Sequence, residues 1–201
     1  KTMVEIKEKD TGEVLFTVEA DSLQDACLRE MDLANADLRG QDLQGTRFDN
    51  SDLTNVDLSG ANLSGASLRG AHLDGANLHG ANLKSARIGS SRRSGAAVMD
   101  GCDLSGADLS DADLRYVSMR NANLTGAILD RVDMCDADCS HCNLSGTTGK
   151  NLLMIHAELQ EANLEKADYR DSHLNAANLY RANMSGMVLG SNHTEGFSAI
   201  N

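Results

Sequence analysis

Three cysteines and a histidine that lie close together in the sequence are residue types that bind metal ions. They are Cys135, Cys139, His141 and Cys142. Thiolate and imidazole groups hold zinc when four of them converge tetrahedrally on one point. A zinc site therefore depends on whether the elements that carry these residues turn all four side chains in one direction.

The histidines and acidic residues show no catalytic pattern. The histidines are His72, His79, His141, His156, His173 and His193. None is matched with a nucleophile in a recognisable arrangement, and the glycines form no phosphate-binding motif. The Asp residues recur because a repeat requires them, so their abundance indicates no acid–base chemistry. We therefore predict no enzyme activity, no catalytic residues and no cofactor.

A five-residue repeat determines where all these side chains point. From residue 26 onward the central position is apolar in 31 of 32 repeats, with Gly149 as the exception. A small residue usually stands two positions earlier, and Asp or Asn usually stands between the two. A period of five matches neither a helix nor a regular strand. It fits short extended segments joined by corners, with four repeats closing a square and the apolar and small residues inside. We predict an all-β solenoid of about eight coils.

In this register the four metal-binding residue types point in different directions. Cys139 takes the inward apolar position and Cys142 the inward small position, whereas Cys135 and His141 point outward. Four ligands cannot converge from such positions, so we predict no metal site. The five cysteines are an odd number without a disulfide-like pattern, which favours a reducing, cytoplasmic location. No apolar stretch is long enough for a membrane helix, so no membrane partner is expected.

The repeats resemble the pentapeptide-repeat family, whose motif is A-(D/N)-L-x-x. Ala-Asp-Leu at 36–38 and Ala-Asn-Leu at 61–63 are two examples, and the resemblance covers residues 26–189. It implies a right-handed quadrilateral β-helix. Some members of this family resemble duplex DNA in size and charge and bind DNA gyrase, which confers resistance to quinolones or peptide toxins.

Residues 1–25 are predicted to cover the first coil. Alternating apolar residues on both sides of a turn at 9–12 indicate a β-hairpin over 3–19. Residues 22–25 resemble a capping box with Asp in place of Glu or Gln, which predicts a short helix. Such a cover would protect strand edges that otherwise invite aggregation. The β-helix itself is predicted over 26–190.

Residues 191–201 are predicted to form a C-terminal cap or tail. Phe197 and Ile200 are the residues that would fold over the last coil. The alternative is that this end pairs with a second copy of the chain, which would give a homodimer.

Two segments break the repeat. Eleven steps separate Ile88 from Met99 where two repeats need ten, which predicts a one-residue bulge in 89–95. Around Gly149, the segment 147–156 places apolar residues at positions where polar ones are expected. Neutral drift in a tolerant scaffold is the alternative explanation for both segments.

Counting four repeats to a coil assigns the outward residues to faces. One face, which runs from Leu43 to Leu83 and continues at Leu104, carries a ladder of Asp and Asn that we interpret as structural. A second face holds the inward residues Leu33, Leu53, Leu73, Leu114, Met134, Met154 and Leu174. Its exposed apolar residues indicate a contact site, although scattered tolerated substitutions are the alternative. The candidate partner-binding residues are Arg92, Arg93, Tyr116, Cys135, Leu153, Ile155 and His156.

The formal charge of −12 disfavours direct nucleic-acid binding, because such binding depends on Lys and Arg. In the register above, the outward charges sum to about 0, −3, −3 and −1 on the four faces, so no continuous acidic stripe forms. No long loop is expected to project from the coils. We therefore interpret the chain as a non-enzymatic protein-interaction or scaffold module with an unidentified protein partner. A DNA-mimicking, gyrase-binding protein is the alternative, and a self-associating rod is the third possibility.

Overall fold

The chain begins with the predicted β-hairpin. The computed structural model describes residues 2–190. Strands β1 (Met3–Glu8) and β2 (Val14–Glu19) pair antiparallel, with an irregularity in the register between Ile6 and Lys7. In the turn, the Glu8 carboxylate accepts a hydrogen bond from the backbone N–H of Thr11 at 2.6 Å. Bonds from Thr11 hold the pKa of Glu8 below its usual range, so the turn keeps a charged acceptor.

The hairpin covers one edge of the first coil. Strand β1 pairs antiparallel with the short strand β3 (Ala36–Asp37), and Ile6 is buried against the solenoid core. The Lys9 Nζ donates to the backbone oxygen of Asn55 at 2.6 Å. The hairpin thus pairs part of a strand edge that an open solenoid would expose.

Residues 22–25 form a turn, so the prediction of a short capping helix is wrong. Asp25 has a φ of 55°, which is left-handed, and Ser22 Oγ accepts from Gln24 N at 3.3 Å. The turn forms because Leu23 is in phase with the five-residue repeat and is buried as its first inward residue. The Thr46 hydroxyl donates to Leu23 O at 2.7 Å and ties this turn to the next coil. Burial of Leu23 therefore outweighs the local capping signal.

Parallel backbone bonds connect each coil to the next. Leu38 N donates to Asp57 O at 2.8 Å, and Asp57 N donates back to Ala36 O at 2.9 Å. Except after Ile88, the residue two positions after each central inward residue turns the corner with φ near 60°, as in Asn35 at 62°. Glycine, Asn and Asp predominate at these corners because they tolerate the left-handed region best.

The inward residues form four columns, one for each face of the coil. Face A contains Leu28, Phe48, Leu68, Ile88, Leu114, Met134, Met154 and Leu174. Face B contains Leu33, Leu53, Leu73, Met99, Met119, Cys139, Leu159 and Leu179. Face C contains Leu38, Leu58, Leu78, Leu104, Leu124, Leu144, Leu164 and Met184. Face D contains Leu23, Leu43, Leu63, Leu83, Leu109, Leu129, Gly149, Tyr169 and Leu189. Nearly all these side chains are fully buried, so the core is one continuous stack of about eight coils.

The break after Ile88 is a six-residue insertion, so the predicted one-residue bulge is wrong. Coil neighbours are 20 residues apart elsewhere, but His72 pairs with Val98, which is 26 residues away. Ala97 N donates to Ile88 O at 3.0 Å and closes the corner across the insertion. The inserted chain includes one turn of 3-10 helix at Arg93–Gly95. Met99 is therefore the first inward residue after Ile88, and a short loop does project from the coils.

The insertion also corrects the assignment of faces. Leu33, Leu53 and Leu73 lie on face B, whereas Leu114 and the inward residues predicted to follow it lie on face A. The predicted ladder of Asp and Asn is likewise divided, because its members up to Asn82 lie on face D and its later members lie on face C. The insertion of six residues moves each later repeat by one face relative to the predicted register.

The C-terminal predictions fall partly outside the described residues. Phe197 and Ile200 lie beyond residue 190, so a C-terminal cap and pairing with a second copy both stay predictions. Within residues 2–190 no helix has the length and apolar character needed to cross a membrane.

Candidate interaction surface

The inserted loop is fixed against face A by backbone bonds. Gly89 N donates to Asp113 O at 2.8 Å, and Ser90 N donates to Arg115 O at 3.1 Å. From the coil on the other side, Arg69 Nε donates to Gly89 O at 3.0 Å. The start of the loop is therefore held between its two neighbouring coils.

The tip of the loop lies over two later coils. The Arg93 guanidinium is 5.9 Å from the centre of the Tyr116 ring, within the range of a cation–π interaction. The same group donates to the backbone oxygen of Asp136 at 3.2 Å. Tyr116, Asp136 and His156 occupy the same left-handed corner on successive coils, with φ values of 62°, 60° and 58°. Arg93 thus bridges the first two members of this stack.

Beside this corner, face A changes from charged to apolar residues. Arg115, Cys135 and Ile155 occupy equivalent outward positions on three successive coils, and Leu153 lies on the same repeat as Ile155. Leu153, Ile155 and Cys135 are all partly exposed, and Tyr116 is packed partly against the core. We call the surface formed by Arg92, Arg93, Tyr116, Cys135, Leu153, Ile155 and His156 the loop patch.

The sequence-predicted residues thus occupy one region of face A. Tyr116, Cys135, Leu153, Ile155 and His156 follow one another along three coils of this face. Arg93 reaches them through the contacts with Tyr116 and Asp136. Arg92 lies one residue earlier in the loop and is exposed.

Cys135 is not set up as a nucleophile. Burial, followed by the neighbouring Asp133 carboxylate, raises the pKa of its thiol to about 12. Reactive cysteines have a lowered pKa because the thiolate is the nucleophilic form. Cys135 therefore contributes a small apolar surface to the loop patch.

The remaining cysteines that suggested a metal site are core residues. Cys139 and Cys142 are buried in the inward positions that the repeat predicts, and Cys142 Sγ donates to Met119 O at 2.7 Å. The hydrogen bond with Cys142, followed by burial, raises the pKa of Cys139 well above its usual value. In the part of the chain that the structure describes, no group of three His, Cys, Asp or Glu side chains could hold a metal ion.

The corrected register redistributes the surface charge. Face B carries seven carboxylates and two arginines, which give it a net charge of −5. This face is more negative than the sequence predicted for any face. The carboxylates are Asp32, Asp52, Asp74, Asp100, Asp138, Glu158 and Glu161. Burial, followed by the neighbouring Asp100, raises the pKa of Asp74. Face A with its loop, by contrast, is the least acidic side of the protein.

The sequence model of the pentapeptide repeat family matches most of the solenoid. The matches cover residues 22–60, 32–70, 51–89, 96–131, 117–148 and 157–189. The chain belongs to the pentapeptide repeat family. Its fold is accordingly the right-handed quadrilateral β-helix that the sequence predicted. The segments that the family matches leave out, 90–95 and 149–156, contain most of the inserted loop and the apolar part of the loop patch.

Solved structures of pentapeptide repeat proteins resemble this chain. QnrB1, a plasmid-mediated fluoroquinolone resistance protein, is 17% identical over 87% of this chain and 86% of its own, with a TM-score of 0.61. HetL, a pentapeptide repeat protein involved in heterocyst differentiation regulation in the cyanobacterium Nostoc sp. strain PCC 7120, is 30% identical over 87% of both chains, with a TM-score of 0.36. The similarity to QnrB1 shows a shared fold. No functionally curated protein sequence matches this chain.

Proposed function

We propose that this pentapeptide repeat protein is a non-enzymatic interaction module that binds a protein partner through the loop patch. The observation that supports this proposal is an ordered insertion held beside a cluster of partly exposed apolar side chains. Arg93 ties the loop to Tyr116, and Leu153 and Ile155 lie partly exposed on the coil next to Asp136. Clustered apolar residues with an aromatic and arginine at their edge are typical of protein contact surfaces.

Leu153 stands at a position where an Asp side chain accepts a stabilising hydrogen bond from the backbone on the two preceding coils. On the preceding coil, Asp133 occupies the same position and accepts a hydrogen bond from Cys135 N at 3.0 Å. Asp113, one coil earlier, accepts from Arg115 N at 3.1 Å in the same way. A leucine cannot accept this bond, so the scaffold loses a local stabilising contact and exposes apolar surface instead. Ile128 on face D makes the same exchange, but only Leu153 has a second apolar outward residue, Ile155, on its own repeat beside the inserted loop.

The test compares two aspartate substitutions at exposed isoleucines. Ile155→Asp changes the loop patch, and Ile128→Asp makes the same chemical change on face D, where Ile128 is 37% exposed. We expect Ile155→Asp to reduce cross-linking to co-purifying proteins by about tenfold or more, because a desolvated anchor contributes strongly to binding. Ile128→Asp should leave the cross-linked proteins unchanged.

Both variants should unfold within about 0.5 kcal/mol of the wild type, because surface substitutions have small effects on stability. Urea unfolding checks this point before the cross-linking is interpreted. If Ile155→Asp retains every protein that the wild type and the Ile128→Asp variant capture, the loop patch is not the binding surface. The cytoplasmic location remains part of the proposal.

A gyrase-directed DNA mimic is the second candidate, and the acidity of face B favours it. Four consecutive coils on this face each carry a carboxylate, beginning at Asp32 and ending at Asp100. A gyrase supercoiling assay with and without a fluoroquinolone tests this function. Inhibition or drug protection at about micromolar protein, lost when Asp52 and Asp74 are changed to Lys, would support it. No effect at about tens of micromolar protein would remove this candidate.

A further inference from the structure

The arginines of this protein fall into two groups. Seven of the twelve pair with a carboxylate: Arg29, Arg39, Arg69, Arg115, Arg120, Arg131 and Arg170. Arg93 and Arg181 lie over the rings of Tyr116 and Tyr180. Within residues 2–190, the guanidinium groups of Arg47, Arg87 and Arg92 have no ion pair, side-chain hydrogen bond or ring contact. All three are exposed.

These three arginines lie on the same side of the rod. Arg47 and Arg87 occupy equivalent outward positions on face A, two coils apart, with Ser67 between them. The strand spacing places their backbones about 9.6 Å apart. Arg92 lies in the inserted loop, four residues after Ile88. The three unpaired charges therefore form a short row whose last member, Arg92, belongs to the loop patch.

The carboxylates nearest this row are already engaged. Asp49 accepts a hydrogen bond from the Ser67 hydroxyl at 2.5 Å and lies 3.9 Å from Arg29. Asp113 pairs with Arg115 at 2.9 Å and with Arg69 at 3.6 Å. The two coils that hold Leu68 and Ile88 carry no carboxylate among their outward positions on face A. The row is thus a local positive surface on a protein that contains 30 acidic residues.

We propose that this row binds an extended acidic segment of the partner protein, whose carboxylates engage Arg47, Arg87 and Arg92. In a segment with polyproline II conformation, residues three positions apart lie on the same side and about 9.3 Å apart, which matches the spacing of Arg47 and Arg87. Guanidinium groups bind carboxylates through two parallel hydrogen bonds. Apolar side chains of the same segment reach Leu153 and Ile155. This inference rests on the proposed function and specifies the chemistry of the partner.

The charge around the row favours a short acidic segment of protein over nucleic acid. Face B, which adjoins face A, has a net charge of −5, and the whole chain has −12. A nucleic acid carries a charge on every nucleotide and would extend past the three arginines along this acidic rod, where it is repelled. A peptide segment can place its carboxylates at the arginines and apolar side chains elsewhere.

Fluorescence polarisation with a labelled peptide tests the proposal. The probe carries glutamate at every third position, serine between the glutamates, and an isoleucine and leucine at one end. We expect the double variant Arg47→Gln, Arg87→Gln to bind it at least about tenfold more weakly than the wild type, because two charge-assisted contacts are lost. The control variant Arg131→Gln, Arg170→Gln removes the same charge from face D and should bind within about twofold of the wild type.

Several outcomes would overturn this inference. One is that both double variants bind the peptide more weakly by the same factor, which would indicate a general effect of net charge. Another is tighter binding of a single-stranded oligonucleotide of the same charge as the peptide. A third is unchanged cross-linking to the partner in the Arg47→Gln, Arg87→Gln variant while Ile155→Asp abolishes it. In that last case the loop patch still binds a partner, so failure of this inference is distinguishable from failure of the proposed function.

Discussion

Replacing Gly149 by leucine, the residue that the repeat favours at this position, is expected to lower the free energy of unfolding by about 3 kcal/mol. The glycine provides space rather than backbone freedom, because its φ is outside the left-handed region. A Cβ atom here would lie 2.9 Å from Leu152 Cδ2 and 3.2 Å from Tyr169 Cδ1. A leucine would force both side chains from their positions in a core with no free volume.

The two neighbours are larger than the repeat requires, and they fill the space left by the glycine. Leu152 occupies an inward position that usually holds a small residue, and Tyr169 follows Gly149 in the same column of face D. The Tyr169 hydroxyl makes a 2.6 Å hydrogen bond with the Thr147 hydroxyl, so its polar end is satisfied inside the core. Burial raises the pKa of Tyr169, which keeps this hydroxyl protonated. We call this an exchange of volume: Leu152 and Tyr169 are larger than usual and compensate for the missing side chain of Gly149.

The exchange predicts strong coupling between the substitutions. Tyr169→Leu alone should destabilise the protein by about 2–4 kcal/mol, because it leaves a cavity beside Gly149. The triple variant Gly149→Leu, Leu152→Ala, Tyr169→Leu restores the usual residue sizes and should unfold within about 1 kcal/mol of the wild type. Urea unfolding of all the variants measures the coupling. The prediction is contradicted if the changes in unfolding free energy of the three single variants add up to that of the triple variant within about 0.5 kcal/mol.

The five-residue period predicted the coils because each repeat makes its own corner and buries its own inward residue. This information is local, so Leu33 or Leu124 can be placed inside the coil from the sequence alone. The error at 22–25 has a local cause as well. The five-residue period extends back by one repeat to Leu23, which is buried, and this period outweighs the capping pattern. The hairpin followed from the alternation around Ile6 and was confirmed.

The length of the insertion is ambiguous in the sequence, because the eleven steps from Ile88 to Met99 can be divided in two ways. They can be two repeats and one extra residue, or one repeat and six extra residues. The first division makes Arg93 or Ser94 the central inward residue of an additional repeat, where burial of a charged or polar side chain is costly. The structure takes the second division and leaves Arg93 exposed over Tyr116. The lack of an apolar residue at that central position is the signal in the sequence that favours the second division.

Contacts between coils were the least predictable part of the site. Gly149 and Tyr169 are 20 residues apart, and their exchange of volume is visible only when the sequence is arranged in columns. The unpaired Arg47 and Arg87 share a column whose neighbours after Ile88 were assigned incorrectly. Whether an arginine pairs with a carboxylate depends on side-chain positions in adjacent coils, which the period alone does not give.

Gly89→Ala is expected to release the inserted loop and to lower the free energy of unfolding by about 3 kcal/mol. A Cβ atom at Gly89 would lie 2.3 Å from the backbone nitrogen of Arg115 and 2.5 Å from its backbone oxygen. Backbone atoms of a stacked coil cannot move aside as the end of a flexible side chain can. The added methyl group must therefore push the start of the loop outward. That movement breaks the bonds from Ser90 N to Arg115 O and from Arg69 Nε to Gly89 O.

Trypsin cleavage and urea unfolding together measure this effect. Arg92 and Arg93 are exposed, and a released loop should be cut there at least about tenfold faster than in the wild type. Gly80→Ala is the matched control, because Gly80 turns a corner at a φ of 63° with nothing within 4 Å of the added Cβ. Its cost should be about 1 kcal/mol, from the left-handed backbone alone, with no change in cleavage. If both variants lose the same stability and are cleaved equally, close backbone contact at Gly89 does not hold the loop in place. The loop would then have to be held by Arg93 and Tyr116, and Tyr116→Ala would release it instead.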